Sequence, residues 1–479
     1  MLLTLVFLYL AVTIAIGLIA AKRVKNSADF AVAGRHLPLV MIVTTTFATW
    51  FGSETVLGIP AKFVGSGLNG VVEDPFGAGT CLILVGVFFA AKLYKMNLLT
   101  ISDYFRERFG QRVEVLCSVI IMLSYLGWVS AQVTALGLVF NLLSNGSISL
   151  PLGMVIGVAS ILAYTLYGGM WSVAVTDFIQ MIILVVGLSV IAVFAAQQAG
   201  GADKVVALAS SRDMFRFLPE PNFKDVIFFI AAAITMMLGS IPQQDVFQRV
   251  MSAKDERAAT RGPLIGGICY ILFAFVPMFL VVSSLIIAPE QTAQLLKDDP
   301  QKVLPTLIMQ QMPFAMQVLF FGALLSAIKS SASATLLAPS VTFVENIWRQ
   351  WYPHMGDQQE LKTMRITVLC FSVLVLIYAI SSQGTSIYEM VSGAYQVTLV
   401  GAFVPLVFGL YWQRATTQGA LAAIGAGISV WLICLASPVG TAFPAQLAGV
   451  LAAVLGMVAG SLAPQITQSL HGSHHKLSE

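Results

Sequence analysis

The chain has 479 residues, 57% of them hydrophobic and only 10% charged, with a mean hydropathy of +0.85 and a formal net charge of +3. A soluble protein of this length needs charged residues at roughly a quarter of its positions, so water is excluded as the main solvent; so small a surplus of charge says nothing about nucleic acid, and no nucleic-acid partner is expected. Cys81, Cys117, Cys269, Cys370 and Cys434 lie in apolar runs without paired spacing, and they read as small buried apolar side chains rather than disulfides or zinc ligands.

The chain opens with MLLTLVFLYLAVTIAIGLIA. This run has no basic start and about 20 apolar residues, enough to span a bilayer rather than be cleaved. Apolar stretches of about 17–25 residues then predict thirteen membrane helices. They fall near 1–21, 39–63, 70–91, 113–143, 150–168, 172–199, 224–241, 262–288, 313–340, 363–383, 388–412, 416–436 and 443–464. An all-α membrane protein is expected.

Basic residues follow alternate spans. Lys22, Arg23, Lys25 and Arg35 come after the first, and Lys92, Lys95, Arg106, Arg108 and Arg112 after the third. Arg249, Lys254, Arg257 and Arg261 follow the seventh, and Arg349, Lys362 and Arg365 the ninth. Arg414 and the tail residue Lys476 complete the set. The other side has only Lys204, Arg212, Arg216, Lys224, Lys297 and Lys302, in two long loops that also carry acids. Lys and Arg concentrate on the cytoplasmic side, which predicts an outside N-terminus and a cytoplasmic C-terminus.

Two spans are interrupted. The second contains Thr49-Trp50-Phe51-Gly52-Ser53-Glu54 and then Gly58-Ile59-Pro60, and the seventh ends in Gly239-Ser240-Ile241-Pro242-Gln243-Gln244-Asp245. Polar residues cluster at both breaks, and paired broken helices in corresponding halves mark a transporter's central site. Five spans separate them, so spans 2–6 and 7–11 are expected to form two inverted repeats.

The segment YTLYGGMWSVAVTDFIQ at 164–180 resembles the hallmark of the sodium/solute symporter family. DFAVAGRHLP at 29–38, TISDYFRERFG at 100–110, FQRVMSAKDERAATR at 247–261 and GLYWQRATTQGALAAI at 409–424 agree in the same order. FATWFG at 47–52, DPFGAG at 74–79, GWVSAQVTALG at 127–137 and LGSIPQQDVFQRV at 238–250 resemble the choline-transporter branch. The resemblance implies a LeuT-type five-plus-five inverted-repeat core in a single transporter domain, 1–479. An extra N-terminal helix and loop would take 1–38, the repeats 39–199 and 224–413, and two C-terminal helices with a short tail 414–479. It also implies a bacterial inner-membrane protein whose partners are a small-molecule solute and the lipid bilayer, with no obligate protein partner.

By resemblance, sodium is bound by the carbonyls of Ala48, Phe51 and Ala327 and the hydroxyls of Ser330 and Ser331. Positions 327, 330 and 331 share one helical face, so a single cation can touch all three. Asp177 matches the family acid near the ion's exit; an ordinary acid at a helix N-terminus is the other reading. Trp50 and Trp128 match tryptophans lining the solute site of the choline branch, where an indole face attracts an ammonium. A third cage position is Gln243 here, which suits an amino acid or betaine better than choline. Thr55, Glu54, Glu73 and Asp74 add polar groups at the site or its vestibule, and Glu73 and Asp74 are equally readable as solvated.

Lys329 departs from the family pattern. A lysine at mid-span costs a few kcal/mol and is expected to matter. At about 100° per residue it points roughly 200° away from Ala327. Three roles are open: repelling the cation, replacing it, or carrying a proton; a structural pairing is the fourth. Expected function is therefore sodium-coupled uptake of a small polar organic solute, with proton-coupled or sodium-independent transport, or a non-transporting sensor of the same fold, as alternatives. A sensor would carry a signalling module, for which the tail from Ala463 to Glu479 is too short, and the broken helices disfavour a passive channel. No nucleophile–base pair, phosphate loop or metal cluster indicates an enzyme, and no cofactor is expected besides the coupling ion. HGSHHK at 471–476 reads as a solvated tail.

Overall fold

A computed structural model describes residues 1–465, so the predicted features of the tail, HGSHHK and Lys476, lie outside the described residues. Within that range the chain is helical, with a single isolated bridge, Leu37 to Ala253, in place of any β-strand. The elements used below are α1 (Leu2–Ala21), α2 (Leu39–Trp50), α3 (Ile59–Gly70), α4 (Val72–Lys95), α5 (Gln111–Leu143), α6 (Leu150–Gln198) and α7 (Phe223–Gly239). They continue with α8 (Gln244–Ser252), α9 (Glu256–Ile287), α10 (Phe314–Trp351), α11 (Asp357–Ser381), α12 (Ile387–Tyr411), α13 (Thr417–Ala436) and α14 (Ala445–Leu462). Among the described residues ten helices are long and apolar enough to cross a bilayer, or eleven if α7 and α8, bent by 45°, form one broken crossing.

The predicted stretch 39–63 is divided between α2 and α3. The helix stops at Phe51, whose φ of −86° and ψ of 68° are not helical, and resumes through a widened turn at Glu54–Gly58. Pro60 sits in the first turn of α3, where its missing N–H costs nothing. The predicted stretches 150–168 and 172–199 both fall in α6, which is interrupted at Gly169 (φ 45°, ψ −136°). Only glycine adopts that conformation readily, and a Cβ there would collide with the carbonyl of Phe30. The YGG of the 164–180 motif is therefore a hinge that lets α6 change direction against the segment after α1.

Packing centres on α10. Every residue from Ala323 to Thr342 is buried, which explains why this helix has no polar face. Its small residues let α6 and α5 approach closely, and α11, α2 and α8 also pack against it. The helix α1 lies on α6, and α13 pairs with α14. On the Lys/Arg-rich side, the 100–110 motif forms a short helix, Ile101–Phe109, whose start is fixed by a capping box between Thr100 and Asp103. Thr100 also donates to Asn346 at 2.7 Å, and the Ile101 N–H donates to Gln244 at 2.8 Å, tying this helix to α10 and α8.

Candidate ion and solute site

At the break after α2, four elements converge through side-chain oxygens. The Ser331 hydroxyl of α10 donates to the Thr49 carbonyl at 2.6 Å. The Ser330 hydroxyl donates to Asp177 Oδ1 at 2.6 Å, and the Thr45 hydroxyl donates to Asp177 Oδ2 at 2.5 Å. Thr49 donates to the Thr45 carbonyl at 2.7 Å while accepting from Arg249 Nη2 at 2.7 Å. All of these side chains are buried. A Cβ built on Gly52 would come within 2.6 Å of both Ser331 Oγ and Glu54 Oε2, so the unwound segment is lined by oxygens. Ala48 and Phe51 flank Thr49 in that segment, and Ala327 lies one turn before Ser331 on α10. Hard, mostly uncharged oxygens around interrupted backbone suit a desolvated monovalent cation.

Lys329 belongs to a different face. Its Nζ donates to Thr13 of α1 at 2.6 Å and lies 5.3 Å from the centre of the Tyr164 ring. Thr13 in turn donates to the Leu10 carbonyl, and among the described residues Lys329 forms no ion pair with a carboxylate.

Beside the break stands a nest of buried rings. Trp50 lies 6.0 Å from Tyr395, nearly parallel, with edge contacts to Trp128 at 6.1 Å and Tyr270 at 6.4 Å. Trp128 also packs on Tyr395 at 5.3 Å and on Tyr125 at 6.0 Å. Thr55 is held at the rim, donating to the Trp50 carbonyl at 3.2 Å and meeting the Tyr270 hydroxyl at 3.0 Å. Gln243, on the second break, is engaged by Ser124 at 2.9 Å and Thr398 at 3.4 Å. The structure thus brings Trp50, Thr55 and Trp128 into contact with one another's neighbours, while Gln243 bonds to α5 and α12 one layer away.

Several readings from the sequence are corrected. Glu73 and Asp74 are buried, not solvated; Ser392 donates to Glu73 at 3.0 Å and Tyr270 donates to Asp74 at 2.5 Å. Asp177 is not an ordinary terminal acid, since it is fully buried well inside α6 between two hydroxyl donors. Arg249, counted among the cytoplasmic loop charges, is 1% exposed, because α8, bent by 45° from α7, is buried along its whole length. Cys269 and Cys370 are exposed on the outer faces of their helices; only the other three cysteines are buried, and all five are free thiols. The sequence reading missed Thr45, Tyr125, Gln132, Arg249, Tyr270 and Tyr395 as site residues. Mid-span tyrosines and a glutamine in apolar runs were the available signal.

A many-spanning helical bundle whose two interrupted helices meet at a buried polar centre is the architecture of a secondary transporter. The chain belongs to the sodium:solute symporter family, whose model matches residues 30–427. It is a multi-pass membrane transporter and not an enzyme. It is 27% identical to the high-affinity choline transporter 1 of Caenorhabditis elegans over 452 residues, 89% of this chain and 76% of that protein. It is also 27% identical to the high-affinity proline transporter PutP of Bacillus subtilis over 429 residues, 87% of this chain and 89% of that protein. Its fold matches a Na+-coupled sialic acid symporter solved in a substrate-bound outward-open state, with a TM-score of 0.79 at 23% identity, covering 97% of this chain and 98% of the other.

Proposed function

We propose that this protein couples sodium entry to uptake of a small polar solute bearing a cationic nitrogen, such as an amino acid, a betaine or a choline-like amine. The observation that carries the reading is the junction of Ser331 with the Thr49 carbonyl, which joins the α10 hydroxyls to the same unwound segment that presents Trp50. Sodium would take the carbonyls of Ala48, Phe51 and Ala327 and the hydroxyls of Ser330 and Ser331, leaving past Asp177. The solute would lie against Trp50, Thr55 and Trp128, with Gln243 supporting from α8's N-terminal side.

The membrane arrangement is part of the proposal. Counting α6 as two crossings split at Gly169, α2 with α3 as one broken crossing and α7 with α8 as another brings the total to thirteen. The charge distribution then supports an outside N-terminus in an inner membrane. Residues 39–199 and 224–413 would be the two inverted repeats, with the breaks at matching points.

Lys329 supports a second reading, in which protons replace or assist sodium. Its ammonium lies among a hydroxyl and an aromatic face, with no carboxylate paired to it among the described residues. Because it faces α1 rather than the break, sodium remains the favoured ion.

The test is uptake into proteoliposomes of a panel of labelled amino acids, betaines and amines under a sodium gradient alone, a proton gradient alone, and neither. Sodium-driven uptake of a cationic or zwitterionic solute is expected. Trp50→Ala and Trp128→Ala should each weaken its binding by roughly 1–2 kcal/mol. Binding without uptake would favour a sensor, and uptake driven by protons alone would favour the second reading.

A further inference from the structure

The ring nest is rimmed by carboxylates, and among the described residues two of them, Asp74 and Asp245, each keep one oxygen without a donor. Glu54 is 2% exposed and accepts from Gln132 Nε2 at 2.6 Å and from Trp128 Nε1 at 3.3 Å. Gln132 turns its other end to the Ser53 N–H at 2.9 Å, so one amide both clamps the helix break and orients Glu54. Asp74 is 1% exposed; its Oδ1 takes the Tyr270 hydroxyl, and its Oδ2 has no hydrogen-bond partner among the described residues. Asp245 repeats the pattern from the second break, with Tyr125 donating to Oδ1 at 2.6 Å and Oδ2 unpartnered. Trp50 Nε1 and the Tyr395 hydroxyl, both fully buried in the nest, are unpartnered as well.

The buried cation nearest to these groups is Arg249. Its Nη1 goes to the Asp245 carbonyl at 2.9 Å and its Nη2 to Thr49 at 2.7 Å, so its charge lies beside Asp245 and Thr49 and it makes no hydrogen bond to Glu54 or Asp74 among the described residues. Buried carboxylate oxygens without donors are expensive, and a ligand ammonium that supplies those donors offsets the cost. Aromatic faces attract any ammonium, whether or not it carries hydrogen. Free carboxylate oxygens discriminate further. A tetra-alkylated nitrogen satisfies the rings but has no N–H to give Asp74 or Asp245, whereas a primary or secondary ammonium satisfies both.

Resting on the symporter reading, we propose that the solute carries a primary or secondary ammonium, donated to Asp74 beside Glu54 and packed on Trp50, and that fully methylated ammonium groups are selected against. The hydrocarbon part of the solute then meets Trp128 and Tyr395. Any acceptor oxygen it carries meets Trp50 Nε1 or the Tyr395 hydroxyl.

The experiment measures binding to the full-length chain in lipid nanodiscs at saturating sodium. It uses ethanolamine with its mono-, di- and trimethylated forms, the last being choline, and glycine against glycine betaine. Affinity is expected to fall with methylation, with each fully methylated member at least about tenfold weaker than its N–H counterpart. Asp74→Asn and Glu54→Gln should narrow that preference to about twofold while stabilisation of the protein by sodium persists. A fully methylated member that binds as tightly as its counterpart overturns the proposal. So does the absence of binding by every N–H member at about 10 mM, the weak end of specific affinities. Both results leave the symporter reading standing provided sodium stabilises the wild type; loss of that stabilisation would instead count against symport itself. Should either variant fail to fold, the wild-type methylation series alone decides.

Discussion

Asp177→Asn is the sharpest perturbation of the ion side, because it changes charge and bonding at one fully buried position without changing volume. The carboxylate accepts from Ser330 at 2.6 Å and Thr45 at 2.5 Å. A hydrogen bond to a charged acceptor contributes about 1.5–3 kcal/mol, against about 1 kcal/mol for a neutral pair. Asparagine keeps one acceptor and replaces the other with a donor, so one bond must rearrange and the other loses its charge assistance. That amounts to roughly 2–3 kcal/mol of lost orientation at the two hydroxyls. If Ser330 is a sodium ligand, about half of this should reach the ion, which is roughly a tenfold rise in the sodium concentration for half-saturation. Thermal stability of the purified protein titrated with sodium, against potassium as control, reads this without knowledge of the solute. Asp177→Glu, which keeps the charge, should recover part of the effect. A sodium midpoint within twofold of wild type, at an unchanged melting temperature in potassium, would refute the link between Asp177 and the ion.

Three further outcomes are expected. In sealed cells, external thiol labelling should reach a cysteine at Gln294 and not one at Gln359 in a background lacking the exposed Cys269 and Cys370; the opposite pattern would invert the topology. Gly169→Ala should lower the melting temperature by several degrees or abolish expression, since it combines a strained φ with a clash against Phe30, whereas Gly65→Ala, which has open space, should be silent. Lys329→Met removes the ammonium from Thr13 and Tyr164 but keeps its length; sodium dependence should strengthen or proton-driven uptake disappear, and identical strict sodium dependence in both proteins would make Lys329 structural.

What the sequence revealed follows from what is local. The breaks at 49–60 and 239–245 were legible because Gly, Pro and polar residues interrupt apolar runs, and the hinge at Gly169 lies inside a recognisable motif. The outward tilt of Lys329 from the serine face followed from helical spacing alone, but its partner did not, because Thr13 lies 316 residues away. Long separation also hid the solute side: Gln132 meets Glu54 across 78 residues and Tyr270 meets Asp74 across 196. Arg249 shows the opposite failure. A basic residue just past an apolar run resembles a loop charge, and only the burial of α8 along its whole length reveals that it lies inside. The two exposed cysteines mislead for a related reason, because lipid makes apolar and outward-facing compatible.

In the proposed reading the same short segment serves both ligands, and coupling would reside there. Thr49 receives Ser331 on its carbonyl and Arg249 on its hydroxyl, while the next residue, Trp50, forms one wall of the ring nest. Four residues further on, Glu54 is fixed by Trp128 and Gln132 of α5. An ion that orders the carbonyls around Ala48 and Phe51 therefore also orders the backbone from which Trp50 and Glu54 project. A solute seated on those side chains must favour the same backbone conformation. Linkage makes this reciprocal: whatever factor sodium adds to solute affinity, the solute adds to sodium affinity, each tenfold being about 1.4 kcal/mol. A helix continuous through residues 50–54 would hold its carbonyls in its own hydrogen bonds and transmit nothing. In that reading, the interruption at Phe51 is what would let one ligand be felt by the other.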